Sequence, residues 1–280
     1  MNNILLPTND FVFKKIFGAG RLHILKDFLR SVLSLPEEEY TGLTLLAPNL
    51  DREFPMDKLG ILDLKLKTTS GIKINVEVQV ERVEHIRERM LFYAANMVTE
   101  QLQLGESFTL IKCVICILVA NFDITKDNQY HHRFKLIAGT SQDPYQDLLE
   151  INFLELPKFD PSDETHLGKW MRFFRSRTKE ELMAAAKGSP AIAEAAEHIL
   201  YMSADETAQA IADAEEKINK DMTTRLEERE LKGKLEGKLE GKLEIARILL
   251  GEKMTHEKIV QITGLSLSEI VQLAKEQAAT

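Results

Sequence analysis

Between Ile61 and Val80 the chain alternates apolar and polar residues with a period of two, which predicts a pair of half-buried strands. In Ile61-Leu62-Asp63-Leu64-Lys65-Leu66-Lys67, three leucines share one face, and Asp63, Lys65 and Lys67 share the other. In Ile72-Lys73-Ile74-Asn75-Val76-Glu77-Val78-Gln79-Val80 the Ile and Val residues take one face, and Lys73, Asn75, Glu77 and Gln79 the other. Thr68-Thr69-Ser70-Gly71 joins the two. A three-residue loop from Thr69 to Gly71 places Gly71 at the left-handed position such loops need. That register pairs Thr68 with Ile72, and therefore Asp63 with Glu77, side by side on the polar face.

Elsewhere the period is mostly helical. Thr8-Asn9-Asp10 offers a cap, with Asp10 expected in a capping role, before a helix that Gly18 can end. Residues 22–33 form a second helix, with Leu22, Leu25, Phe28, Leu29 and Val32 on its apolar side. A short strand is expected at 42–47 and a long helix at 83–104. The apolar run 110–122 reads as a buried strand, and 130–137 and 148–156 as further strands. Trp170, Phe173 and Phe174 pack a helix back on the sheet, and 178–229 reads as helix throughout. Residues 233–244 repeat Gly-Lys-Leu-Glu three times. Like charges at i,i+4 and three glycines disfavour an isolated helix, so a mobile or assembly-dependent one is expected. In the tail, Ser266-Leu267-Ser268-Glu269 is a capping box with Leu265 and Ile270 as its staple, giving a helix-turn-helix-like shape. Its second helix carries Lys275 as its one base, which favours packing or oligomerisation over groove reading.

The net charge of -8 argues against a broadly basic protein that coats nucleic acid, but not against a carboxylate-lined metal site. Two cysteines, Cys113 and Cys116, are no disulfide framework, and on a strand their side chains point to opposite faces. His131 and His132 alternate likewise and read as a surface strand. No run is apolar enough to span a bilayer, and the chain opens without a basic leader followed by an apolar region. A cytoplasmic protein with no membrane partner is expected.

Facing carboxylates destabilise a strand pair unless something compensates. A hard divalent cation removes the repulsion, and can polarise a phosphodiester and acidify a bound water. The same residues also make a solvated polar face, neutralised by Lys65 and Lys73.

Nearly the whole chain resembles the recombination-promoting nuclease (Rpn) family, also described as PD-(D/E)XK nuclease family transposases. The segments that carry the resemblance are Asn9-Asp10-Phe11-Val12-Phe13-Lys14, Ile61-Leu62-Asp63-Leu64-Lys65, Asn75-Val76-Glu77-Val78-Gln79, the helix from Arg89 to Tyr93, Ile151-Asn152-Phe153-Leu154-Glu155-Leu156-Pro157-Lys158, and the tail ending in Ile262-Thr263-Gly264-Leu265-Ser266. The resemblance implies a restriction-endonuclease-like core and an Mg²⁺- (or Mn²⁺-) dependent DNA endonuclease linked to recombination. Asp63 and Glu77 would be metal ligands, with the Val78 carbonyl a third. Gln79 would stand where the superfamily has a catalytic lysine. Gln orients a water or phosphate but carries no charge, so Lys65 or Lys14 is the candidate replacement cation. Arg89 and Tyr93, four apart on one helix, are candidate DNA contacts, as is Lys14. Glu155-Leu156-Pro157-Lys158 reads as structural.

These readings converge on an α/β fold: a central mixed β-sheet flanked by helices, plus a helical C-terminal extension. The expected division is a nuclease-like domain at 1–177, a helical extension at 178–230, a repeat helix at 231–245 and a helix-turn-helix-like tail at 246–280. DNA is the expected partner, with homo-oligomers formed through the helical C-terminal region. The alternative is a weak or inactive nuclease-fold protein serving as a DNA-binding or assembly module.

Overall fold

The computed structural model describes residues 4–18, 20–46, 64–137 and 148–278. They divide into two compact units, 1–219 and 220–280.

In the first unit the helices are α1 (Asp10–Phe17), α2 (Leu22–Val32), α3 (Glu37–Thr41), α4 (Ile86–Thr99), α5 (His166–Arg175), α6 (Lys179–Ala185), α7 (Pro190–Ser203) and the start of α8 (Glu206–Gly251). The strands are β1 (Thr44–Leu46), β2 (Leu64–Lys67), β3 (Lys73–Gln79), β4 (Val114–Ala120), β5 (His131–Lys135) and β6 (Leu149–Glu155). They form one mixed sheet in the order β1-β2-β3-β4-β6-β5, as the α/β reading requires. β3, β4 and β6 run parallel, while β1, β2 and β5 pair antiparallel with their neighbours.

The period-two pattern lands in the expected register. Leu64 pairs with Val76, Lys65 with Asn75 and Lys67 with Lys73. Thr68 N–H donates to the Ile72 carbonyl at 2.9 Å. Gly71 takes φ 99°, a left-handed conformation that suits glycine. Asp63 lies outside the described residues, one step past the last described pair.

The leucines and branched residues of β2 and β3 (Leu64, Leu66, Ile74, Val76) join the large core with α1, α2, α5, α6 and α7. Its centre is aromatic: Phe17 lies within 6.1 Å of Phe13, Phe28, Trp170 and Phe174, measured between ring centroids. A second core fills the other side of the sheet, where Ile86, Met90, Ala94 and Met97 of α4 cover Cys116, Leu118, Ala120 and Phe153. β4 is buried along its whole length, as its unbroken apolar run implies. Cys116 enters the second core and Cys113 packs against the first, on opposite faces as expected.

Three differences from the sequence reading have local causes. The helix expected at 83–104 is only Ile86–Thr99, because His85 takes a left-handed conformation (φ 57°) before it and, past Glu100, the N–H groups of Gln101 and Leu102 turn to the Val98 and Thr99 carbonyls in tighter i,i+3 bonds. The helix expected at 178–229 breaks twice. Gly188 (φ 73°), the Ser189 cap and Pro190 in the first turn start α7, and Asp205 accepts from the Thr207 and Ala208 N–H groups to start α8. The cap of α1 is Asn9, whose side chain accepts from Val12 N–H. Asp10 instead accepts from Lys14 Nζ at 2.8 Å.

In the second unit, the end of α8 packs with α9 (His256–Thr263) and α10 (Leu267–Ala278) around Ala246, Ile259, Leu265, Ile270 and Leu273. The capping box closes reciprocally: Glu269 N–H donates to Ser266 Oγ, and Ser266 N–H to the Glu269 carboxylate at 2.7 Å. Gly264 (φ 66°) turns the chain between the two helices. The Gly-Lys-Leu-Glu repeat lies inside α8 as continuous helix. Among the described residues no helix is long and apolar enough to cross a membrane.

Candidate active site

The polar face of β3 is not a solvated surface. β3 is an internal strand with parallel β4 beside it, and a parallel connection places a helix over the sheet. That helix is α4, so the face carrying Asn75 and Glu77 is roofed: Asn75 is 0% exposed and Glu77 4%. Lys73 and Gln79, at the strand ends, are half-buried. On β4, Asn75 neighbours Cys116, Glu77 neighbours Leu118, and Gln79 neighbours Ala120.

Burial leaves polar groups unsatisfied. Glu77 Oε1 and both side-chain amide atoms of Asn75 have no hydrogen-bond partner. A buried polar group without a partner costs about 1–3 kcal/mol, so such groups mark a place that something else completes. Burial, against the pull of the Arg89 guanidinium and the Asn75 amide, pushes the Glu77 pKa up to about 7. Burial thus favours the protonated carboxyl, and a bound cation would favour the carboxylate.

Arg89 is the cation over this face. Its Nε donates to the Tyr93 hydroxyl at 2.9 Å, and its guanidinium lies 5.4 Å from the Tyr93 ring centroid. The i,i+4 spacing on α4 brings the pair together, as read from the sequence. The sequence did not reveal that Arg89 also acts on Glu77.

The two lysines considered as replacement cations are engaged elsewhere. Lys65 stands opposite Asn75, and its ammonium is 3.5 Å from the Glu100 carboxylate beyond the end of α4. Lys14 is bonded to Asp10 on α1, whose apolar side packs in the core on the other face of the sheet. Val78 packs against that first core, and the Gln79 carbonyl accepts from Asn121 N–H at 3.0 Å. Among the described residues no group of three His, Cys, Asp or Glu side chains is placed to hold a metal. Asp63, expected to be Glu77's partner, lies outside them.

A second charged group stands at the same end of the parallel strands. Gln79, Ala120 and Glu155 are neighbours on β3, β4 and β6, two strand spacings or roughly 10 Å from end to end. The Glu155 side chain is fully buried and accepts from Lys158 Nζ (2.8 Å), Thr125 Oγ1 (2.6 Å) and the N–H groups of Ile124 (2.6 Å) and Thr125 (3.1 Å). Burial pushes its pKa up, but these donors outweigh burial and hold it below the usual glutamate value. His132 Nδ1 lies 3.2 Å from Glu155, and His132 Nε2 2.8 Å from Asp127. His132 is thus no surface residue. It bridges two acids, because it shares the α4 side of the sheet with Phe153 and Glu155. The Glu155-x-x-Lys158 spacing across Pro157 was the signal for this network; the histidine's part depends on strand pairing.

Comparison with known proteins adds two matches. Residues 7–229 match the family described as PD-(D/E)XK nuclease family transposase. Residues 239–275 match the Rpn/YhgA-like nuclease family, C-terminal HTH domain. The second match weighs against reading the tail as a packing element alone. No match was found among curated proteins or among solved structures.

Proposed function

The chain belongs to the PD-(D/E)XK nuclease family transposases, and on that premise we propose that it hydrolyses DNA phosphodiester bonds at the face of β3, with Mg²⁺ or Mn²⁺ as cofactor. The observation that carries this reading is the buried carboxyl of Glu77, one of whose oxygens (Oε1) has no hydrogen-bond partner, in the field of Arg89. A buried acid with an oxygen left unpartnered suits a hard cation's preference for carboxylate oxygens. Asp63, Glu77 and the Val78 carbonyl are the proposed ligands. The cation, when bound, supplies charge neutralisation at the phosphate and a more acidic water.

The chain's own side chains do the rest. Glu77 gives up its proton near neutral pH and stays anionic. Gln79, half-buried at the strand end, orients the attacking water or a phosphate oxygen through its amide. Arg89, steadied by Tyr93, carries the positive charge that Gln79 lacks and faces the scissile phosphate. Lys65 serves as a supporting charge, and Lys14, on the other face of the sheet, is a separate DNA contact. The C-terminal HTH domain holds the duplex, and the helical C-terminal region brings chains together. The setting proposed is DNA recombination in the cytoplasm.

A supercoiled-plasmid nicking assay tests this. Wild type should cleave with Mg²⁺ and stop with EDTA, and Asp63→Ala and Glu77→Ala should each lose the activity. Cleavage that persists in both variants would place the chemistry elsewhere. Gln79 in the lysine position favours one second reading, a weak or inactive nuclease fold that binds DNA or assembles. If wild type binds DNA without cutting it and Gln79→Lys restores cutting, that second reading holds.

A further inference from the structure

The end of the sheet nearest the Gly71 turn gathers four lysines. Strand pairing sets Lys65 opposite Asn75 and Lys67 opposite Lys73, so Lys65, Lys67 and Lys73 share the face that carries Glu77. Lys112 joins them from the segment leading into β4. Lys73 N–H donates to the Cys113 carbonyl at 3.0 Å, and the Gln101 side chain, just past α4, holds the Lys112 backbone through hydrogen bonds of 2.9 and 3.0 Å. The stems of Lys112 and Lys67 both pass Gly71, 3.4 and 3.8 Å from the point where a side chain would begin.

Such crowding works against the fold. Like charges directly opposite on paired strands repel, and Lys67 faces Lys73. Burial pushes the Lys73 pKa down, Lys65 and Lys67 push it the same way, and Glu100 pulls back. Among the described residues the one ion pair that the four lysines make is Lys65 with Glu100, at 3.5 Å. The carbonyls at the C-terminal end of α4 add about half a negative charge. An excess of about two positive charges remains there, in a chain whose net charge is -8. A polyanion would remove the repulsion.

We propose that this cluster binds the phosphate backbone of nucleic acid and holds the strand to one side of the cut. This rests on the reading of the β3 face as the site of DNA cleavage, and gives that site a second contact surface. Two features select the partner. Lys73 lies four residues from Glu77 along β3, roughly 13 Å, and on the same face. A strand laid along β3 with its scissile phosphate at Glu77 carries phosphates a few nucleotides away over Lys65, Lys67 and Lys73. The cluster also consists of ammonium groups, which act as compact point charges on phosphates and read no base edge. Its contribution is therefore independent of sequence and sensitive to salt.

Anisotropy titrations of a labelled duplex with the full-length chain, in EDTA so that nothing is cut, test this. The triple variant Lys67→Gln, Lys73→Gln, Lys112→Gln should flatten the slope of log affinity against log salt by about 2 to 3, at about 0.9 per phosphate contact. The control Lys179→Gln with Lys187→Gln, two exposed lysines in and after α6, should keep the wild-type slope. Glu100→Gln frees Lys65 and should tighten binding severalfold at low salt. Without nucleic acid the triple variant should melt at or above the wild-type temperature, because the repulsion is gone; this separates lost binding from lost folding. A triple variant with the wild-type slope, or a Glu100→Gln protein that binds no tighter, overturns the proposal. Polyglutamate that binds wild type as tightly as the duplex does, and fails to bind the triple variant, would assign the cluster to an acidic protein segment and overturn the nucleic-acid partner. A chain that nicks plasmid but shows no change of slope loses only this cluster. One that binds through the cluster without nicking loses only the nuclease reading.

Discussion

Replacing Asn75 by Leu should stabilise the cation-free protein and weaken its hold on divalent cations. Asn75 is 0% exposed and neither of its amide polar atoms has a hydrogen-bond partner, so the folded state carries a desolvation cost of about 1–3 kcal/mol there. Leucine has nearly the same branched outline and places apolar atoms beside Cys116 on β4, in the core under α4. Relief of that cost should raise stability by about 1–3 kcal/mol, at about 2–4 °C in melting temperature per kcal/mol for a unit of this size. Calorimetry in EDTA measures it. The functional half follows from Glu77. The Asn75 amide helps hold its pKa down at about 7, so without it the carboxyl stays protonated to higher pH. Mn²⁺ titration at pH 7 should then show weaker binding, with the difference closing at higher pH as both proteins ionise. If Asn75→Leu lost 1 kcal/mol or more in EDTA, the amide would be satisfied in the native protein, and the argument from unpartnered groups would fail for Glu77 as well.

Arg89→Met should raise the Glu77 pKa further and cut cleavage about a hundredfold, while Arg89→Lys recovers part of it; equal rates for both variants and wild type would remove Arg89 from the site. Glu155→Gln should cost about 3–5 kcal/mol near neutral pH, because it leaves Lys158 buried without its counter-charge. Glu155 has a lowered pKa in the folded state, so its contribution is present above the unfolded value of 4.5 and is lost as pH falls through the folded one. Urea melts should therefore converge for wild type and Glu155→Gln in acid, and a constant gap down to low pH would contradict this. Ile270→Ala removes a fully buried anchor of the second unit and should cost that unit about 2–5 kcal/mol; loss of DNA binding at a temperature where the first unit stays folded would show in paired circular dichroism and gel-shift measurements. Gly71→Ala should cost about 1 kcal/mol through strain at φ 99°, read as a lower urea midpoint with unchanged slope.

What the sequence determined by itself was local and periodic. The alternation of Leu64, Leu66, Ile74 and Val76, with Gly71 at the turn, set the register of β2 on β3, because a one-residue slip would have put every apolar side chain on the wrong face. The capping box at Ser266 and Glu269 and the unbroken apolar run of β4 were legible for the same reason: each is decided by neighbours a few residues away. The alternation could not say whether the polar face meets water or a helix. That depended on β4 pairing parallel to β3 across the α4 connection, which turned an expected solvated face into a buried site. Burial then raised the Glu77 pKa, left Asn75 unpartnered and made Arg89, rather than Lys65 or Lys14, the cation that acts on the carboxylate. His132 and Glu155 likewise met only because β5 pairs beside β6. Local spacing specifies elements and their faces. Long-range strand order decides which of those faces is dry, and the dry face is where a carboxylate acquires chemistry.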